Sequence, residues 1–141
     1  MATYNKFQDF VEQLGKGVHR LHAAGDTLMV YLTNTTPDAA LDAVRVDLAE
    51  ITAQNGYPLS GTDIQNGYTE TTGTGTMTGV DVVFTASGGA FGPFRYVVLY
   101  NNTATALVGP LIGWWDYGSS ISCNAGETFT VDFGASVLTI A

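Results

Sequence analysis

Few residues of this chain that are capable of chemistry stand in a pattern that chemistry needs. His19 and His22 lie three apart, a spacing that can place two imidazoles on one metal, but no third ligand stands near them and two make a weak site. Asp81, Asp116, Glu127 and Asp132 could supply the carboxylate pair of a glycosidase. Four acids scattered over strands and turns are also what chance gives an acidic chain, and acids near loops could equally collect calcium. Gly73-Thr74-Gly75 lacks the later glycine spacing and the following helix of a phosphate loop, and reads as a strand edge or bulge. Ser119 and Ser120 have no histidine at a predictable position, and Cys123 is the lone cysteine, without a disulfide mate or metal-binding companions. No catalytic residue, metal or cofactor is assigned, and the expectation is a chain that is not an enzyme.

Binding is better supplied. Trp114 and Trp115 are adjacent, so in a strand their side chains point to opposite faces. The face of Ile112, Trp114 and Asp116 ends in a charge, whereas that of Leu111, Trp115 and Tyr117 does not. Trp115 is therefore expected in the core and Trp114 half-exposed or facing a partner. An exposed tryptophan is a hot-spot residue of protein interfaces and a stacking platform for sugars.

The elements that must position these residues are mostly strands. Residues 3–22 carry apolar side chains at Phe7, Phe10, Val11, Leu14, Val18 and Leu21, spaced by threes and fours, which predicts a helix with one buried stripe. Thr3 would cap it, and Gly15 and Gly17 would weaken or break it. LMVYLT (28–33) is a first strand. Thr36-Pro37-Asp38 resembles a cap followed by proline at a first helical position. The segment through Ile51 fits a short helix by Leu41, Val44, Leu48 and Ile51 and equally a strand by the alternation in RVDLAEI (45–51); the expectation is a short helical turn near 38–43 with irregular chain after it. Asn55-Gly56 and Asn66-Gly67 are turn signals. The Thr/Gly stretch 69–79 reads as strand running into a strand at 80–86, with further strands at 94–101, 110–117, 127–133 and 136–140. In the strand FRYVVLY, alternation puts Phe94, Tyr96, Val98 and Tyr100 on one face and Arg95, Val97 and Leu99 on the other. The fold expected is mainly β, an antiparallel sandwich or jelly roll, with an N-terminal helical segment over residues 1–25 and a body over 26–141.

Composition bounds the partners. The 141 residues fit one domain, and only 13% are charged, against about 25% in an ordinary soluble domain. Uncharged surface must be solvated by Thr, Asn and Gly or covered by a partner. The net charge is −8 and uneven: residues 1–20 hold Lys6, Lys16 and Arg20 against Asp9 and Glu12, whereas residues 21–141 hold Arg45 and Arg95 against eleven acids. With no basic stripe to displace counterions, nucleic acid is not an expected partner. No apolar run reaches the roughly 18 residues of a membrane span, and the start has no run of signal-peptide type, so synthesis in a cytoplasm is the expectation.

The segments ITAQNGY (51–57), FTASGGAFGPFRYVVLYNNTA (84–104), PLIGWWDYGSSI (110–121) and GETFTVDF (126–133) resemble the capsid cement, or decoration, proteins of tailed bacteriophages, most of all dimeric jelly-roll members. The resemblance covers about residues 28–140. It implies a virion protein on the outer capsid surface that clamps neighbouring major capsid proteins, acts as a homodimer and has no catalytic residues. The charge switch near residue 20 suggests that the N-terminal segment reaches from the body to a capsid subunit or dimer mate. Lys6, Phe7, Phe10, Lys16, Arg20 and Trp114 are the interface residues expected. The alternatives are a carbohydrate- or receptor-binding module of a fibre, with Trp114, Asp116 and Tyr117 as its platform, and a tail or head–tail connector component.

Overall fold

The structure is a computed structural model that describes residues 2–141, so Met1, the first residue of the expected N-terminal segment, lies outside the described residues. The chain forms β1 (Tyr4–Lys6), α1 (Gln8–Gly15), β2 (Leu28–Thr33), β3 (Thr62–Asp63), β4 (Gly67–Thr71) and β5 (Thr74–Thr78). It continues through β6 (Val82–Thr85), β7 (Phe91–Asn101), β8 (Leu111–Cys123), β9 (Thr128–Val131) and β10 (Leu138–Ile140). The protein is mainly β, and its sheets are antiparallel. A five-stranded sheet has the order β1-β8-β7-β2-β3; a second has the order β10-β5-β4, and β6 pairs with β9.

The main apolar core joins these sheets. Leu28, Val30 and Leu32 of β2, Val97 and Leu99 of β7 and Ile112 and Trp115 of β8 share one cluster with Met77, Val82, Phe84, Val131 and Leu138. Aromatic rings run through it, with Tyr57 against Phe84 and Phe91, and Trp115 against Phe133. The other face of the five-stranded sheet is covered as well: Tyr31, Val98, Tyr100 and Leu111 form a second cluster with Phe7 and Leu48. That explains LMVYLT, which is apolar almost without alternation, as a strand buried on both faces has to be.

Three local expectations change. The helix covers residues 8–15 and not 3–22, because the backbone of Tyr4–Lys6 is taken by β8 and Phe7, at the helix entry, is extended. Gly17, with φ of 75°, ends it, as the glycines suggested. With that start, Phe10, Gln13 and Leu14 face inward while Val11 is exposed, and Val18 and Leu21 follow in irregular chain. Next, the face assignments in β7 and β8 fail across bulges. Pairing slips between Phe94 and Tyr96, so Phe94 joins Val97 and Leu99 in the main core. It slips again where Leu99 faces Gly113 but Tyr100 faces Leu111; the extra residue puts Ile112 on the side of Trp115, and Leu111 on that of Trp114. Finally, the Thr/Gly stretch is a hairpin of β4 and β5, turning through Thr72 and Gly73 at φ of 50° and 86°, both left-handed as a tight hairpin turn requires.

Residues 2–25 also belong to the body. β1 is an edge strand of the five-stranded sheet, Phe7 lies in the second cluster, and Phe10 and Leu21 lie in the main core. The expected anchor standing off the body is thus corrected: two phenylalanines have more apolar surface than water tolerates, and the sheet supplies the cover.

Candidate binding interface

The acids weighed for catalysis are spent on local geometry. Asp116 holds Arg95 through two bonds of 2.8 and 3.1 Å and accepts from the Gly118 N–H. Asp81 accepts from Phe133 N–H, Asp132 from Gly134 N–H and Glu127 from Asn124 N–H, each within a turn or between neighbouring strands. His19 and His22 line one groove of about 440 Å³ with Leu14, Tyr68 and Ile140, but His19 is buried and its Nδ1 faces Asn101 at 3.1 Å. Among the described residues no three His, Cys, Asp or Glu gather as a metal site would need. The Cys123 thiol is buried, and burial pushes its pKa up, away from the thiolate.

The residues expected at an interface divide in two. Lys6, Lys16 and Arg20 are exposed; Lys16 pairs with Glu12, and Arg20 reaches Asp26 at 3.1 Å. Phe7 and Phe10 are buried and make no surface at all, a correction that follows from β1 docking on β8. Trp114 is half-buried with its ring 4.6 Å from that of Phe7, as expected for its outward face, yet covered by the chain's own N-terminal segment. Tyr117 packs edge-on against Phe129, so Trp114, Asp116 and Tyr117 are all engaged within the molecule.

Sequence reading missed the side of the molecule where loops close over the second cluster. The loop from 34 to 50 crosses the five-stranded sheet, with a 3-10 turn at Arg45–Asp47 and Leu48 driven into the cluster. Asp38 accepts from Ala40 and Leu41 N–H, and Asp47 from Ala43 and Val44 N–H, so side-chain carboxylates hold the turns. The Arg45 guanidinium lies over the rings of Tyr31 and Tyr100, 5.6 and 5.2 Å from their centroids, and pairs with Glu50. Glu50 also accepts from the Tyr57 hydroxyl and Ser60 N–H, each at 2.8 Å. Tyr100 donates to Ser60 O at 2.8 Å and Tyr31 to the carbonyls of Arg45 and Leu48 at 3.2 Å. Burial raises the pKa of Tyr31, Tyr57 and Tyr100, which keeps all three as hydroxyl donors. Burial is the largest single influence and works against the Arg45 charge, but the bond to Glu50, the Glu50 charge and the neighbouring Tyr100 and Tyr31 together outweigh it, and its pKa rises. The arrangement is a rigid floor of rings and one ion pair, suited to carrying a contact surface. The only sequence signal for it was the apolar–acidic mixture of 38–51, which periodicity left ambiguous between helix and strand.

Set against protein-family models, curated proteins and solved structures, the chain matches none of them. What the geometry defines by itself is a β protein whose chemistry-bearing side chains hold its own turns together.

Proposed function

We propose that this chain is a structural protein of a tailed-phage particle, a coat protein that sits on the outer capsid surface and clamps neighbouring major capsid proteins. It makes no covalent change in its partner and works through a stiff, jelly-roll-like sandwich body, as a homodimer. The segments that carry the resemblance supply much of the core: Tyr57, Phe84, Phe91, Phe94, Trp115 and Phe133 all come from them, the first four packed in one series of rings and Trp115 packed on Phe133.

The observation that carries the reading is how polar and apolar groups are divided. The acids that could have done chemistry hold backbone N–H groups or Arg95, whereas the side chains left over in water include strongly exposed aliphatics. That division supports function by contact. A clamp on a seam needs an ordinary interface of about 1,600 Å², repeated over the shell so that each bound copy raises the local concentration of the next contact. A two-fold dimer offers the same patch to both sides of a seam.

The test is a count. Particles purified from the phage or prophage that encodes this chain are expected to carry hundreds of copies by quantitative mass spectrometry. A handful of copies reassigns the chain to a fibre or connector, and none at all removes the proposal.

A further inference from the structure

The large apolar side chains left in water are not spread evenly. Among the described residues Leu41, Val46, Leu59 and Val108 are 72–85% exposed, whereas the other exposed large apolar ones, Val11, Val80 and Val83, stand at 53–55%. The four most exposed come from two connections, residues 34–61 between β2 and β3 and residues 102–110 between β7 and β8, which hydrogen bonds bring together. Arg45 N–H donates to Gly109 O at 2.8 Å, which ties the backbone next to Val46 to the backbone next to Val108. Ser60 N–H bonds Glu50, the partner of Arg45, which brings Leu59 to the same ion pair. Leu41 belongs to the end of the first loop that is tied to the sheet by Leu111 N–H to Ala43 O at 2.9 Å. Single exposed aliphatics are ordinary on any protein, but a group of them with a polar rim marks an interaction site.

We infer that this loop face is the docking surface of the chain, and that its occupant is a protein surface with an apolar centre ringed by lysine and arginine. Charge selects the occupant. The two connections hold Asp38, Asp42, Asp47 and Glu50 against Arg45 alone, and Arg45 is already paired with Glu50. Among the described residues three carboxylates are left without a cationic partner, at fixed positions because their oxygens accept backbone N–H groups of the same loop. A second copy placed face to face would set these carboxylates against their own kind, which is repulsive, whereas a basic rim would be attracted and steered in. The floor of Tyr31, Tyr100, Arg45, Glu50 and Tyr57 is ordered without a partner, so little ordering is left for association to impose. Resting on the reading proposed above, that occupant is a capsid subunit, and the homodimer forms through some other surface.

The test compares three full-length chains for co-sedimentation with shells stripped of this protein, at low and at high salt. They are the wild type, the double variant Val46→Asp with Val108→Asp, and the control Val83→Asp on β6. Both altered loop residues lie in water, so the double variant is expected to melt like the wild type. Its binding is expected to weaken at least ~10-fold, as for loss of an interface hot spot, while Val83→Asp binds normally. Wild-type binding is expected to fall as salt rises. If the wild type binds and the double variant binds equally well, the loop face is not the docking surface, although the coat reading stands. If the wild type does not bind shells, both go. If sedimentation velocity shows the double variant turning a dimer into a monomer, the occupant is a second copy and the assignment to a basic partner is wrong.

Discussion

The side-chain amide of Asn101 decides the state of His19. Its Oδ1 accepts from the N–H groups of Thr103 and Ala104, so the amide orientation is fixed, and Nδ2 faces Asp26 at 2.8 Å and His19 Nδ1 at 3.1 Å. With both amide hydrogens pointing outward, Nδ1 has to accept, which leaves the imidazole neutral with its proton on Nε2. Among the described residues that buried Nε2 has no hydrogen-bond partner, and its ring lies 5.2 Å from that of Phe10. Burial lowers the His19 pKa to about 4, against the opposing pull of Asp26 and Asp9. As pH falls from about 6.5 to about 4 the unfolded chain takes up a proton that the folded chain refuses, so the His19 contribution to stability falls through that window and levels off below it. Urea melts across it are expected to lose up to about 3 kcal/mol, and His19→Gln is expected to flatten the curve. Asp26 continues the decline at lower pH: burial opposes its charge, but the bonds from Asn101 and Arg20 win and depress its pKa, so its contribution is lost as that carboxylate protonates. A wild type equally stable across the window would show that His19 is not held neutral. Glu50 poses the converse case, a charge whose loss strands its donors. Glu50→Ala leaves Arg45, the Tyr57 hydroxyl and Ser60 N–H without their acceptor, and is expected to cost about 3 kcal/mol by thermal unfolding, with Glu50→Gln milder.

At the scale of elements, the docking of β1 on β8 depends on one residue without a side chain. A Cβ on Gly113 would lie 2.1 Å from the Tyr4 ring and 2.6 Å from Asn5 O, and the second of these is backbone that cannot turn aside. Gly113→Ala is therefore expected to push β1 off the sheet edge and to destabilise the protein by about 1–3 kcal/mol, as over-packing does. Because Trp115 packs on Tyr4 and Trp114 on Phe7, the same variant is expected to change tryptophan fluorescence and to open residues 2–7 to protease. Unchanged fluorescence and protease resistance would mean that β1 is not held there. Strands were legible in the sequence because β-branched and aromatic runs between Gly and Asn carry both propensity and boundary: β2, β7, β8 and β9 lie where those runs lie. Faces were not. A bulge is set by how one strand meets another, so nothing within LIGWWDY announced that Ile112 would stand on the side of Trp115. The hairpin turn at Thr72-Gly73 was hidden for a related reason, since it asks a β-branched residue to adopt φ of 50°. Asn66-Gly67, read as a turn, instead enters β4, with the buried Asn66 amide donating to Leu21 O at 2.8 Å and Asp26 O at 3.2 Å.

For the molecule as a whole, the charge switch near residue 20 and the packing give opposite answers, and packing has the larger magnitude. Surface charges contribute tenths of a kcal/mol each, whereas removing a buried phenylalanine side chain costs about 3–5 kcal/mol. Phe7 and Phe10 are both buried, and Leu21 and Asp26 are tied to the body through Asn66 and Asn101. Residues 2–22 thus fill the two faces of the central sheet, the reverse of a detachable arm. The face proposed for docking was invisible in sequence for the same kind of reason: Leu41, Val46, Leu59 and Val108 look like core residues until the fold leaves them in water. Deleting 2–22 removes both phenylalanines and the edge strand together, a loss comparable to the 5–15 kcal/mol that holds an ordinary domain folded. The truncated chain is expected to lose its cooperative thermal transition and to bind a hydrophobic dye, while the full chain melts in one step. If it instead melts cooperatively near the wild-type temperature, then the N-terminal segment is an appendage after all, Lys6, Lys16 and Arg20 regain their place as an anchor, and the loop face loses its standing as the surface best built to meet a partner.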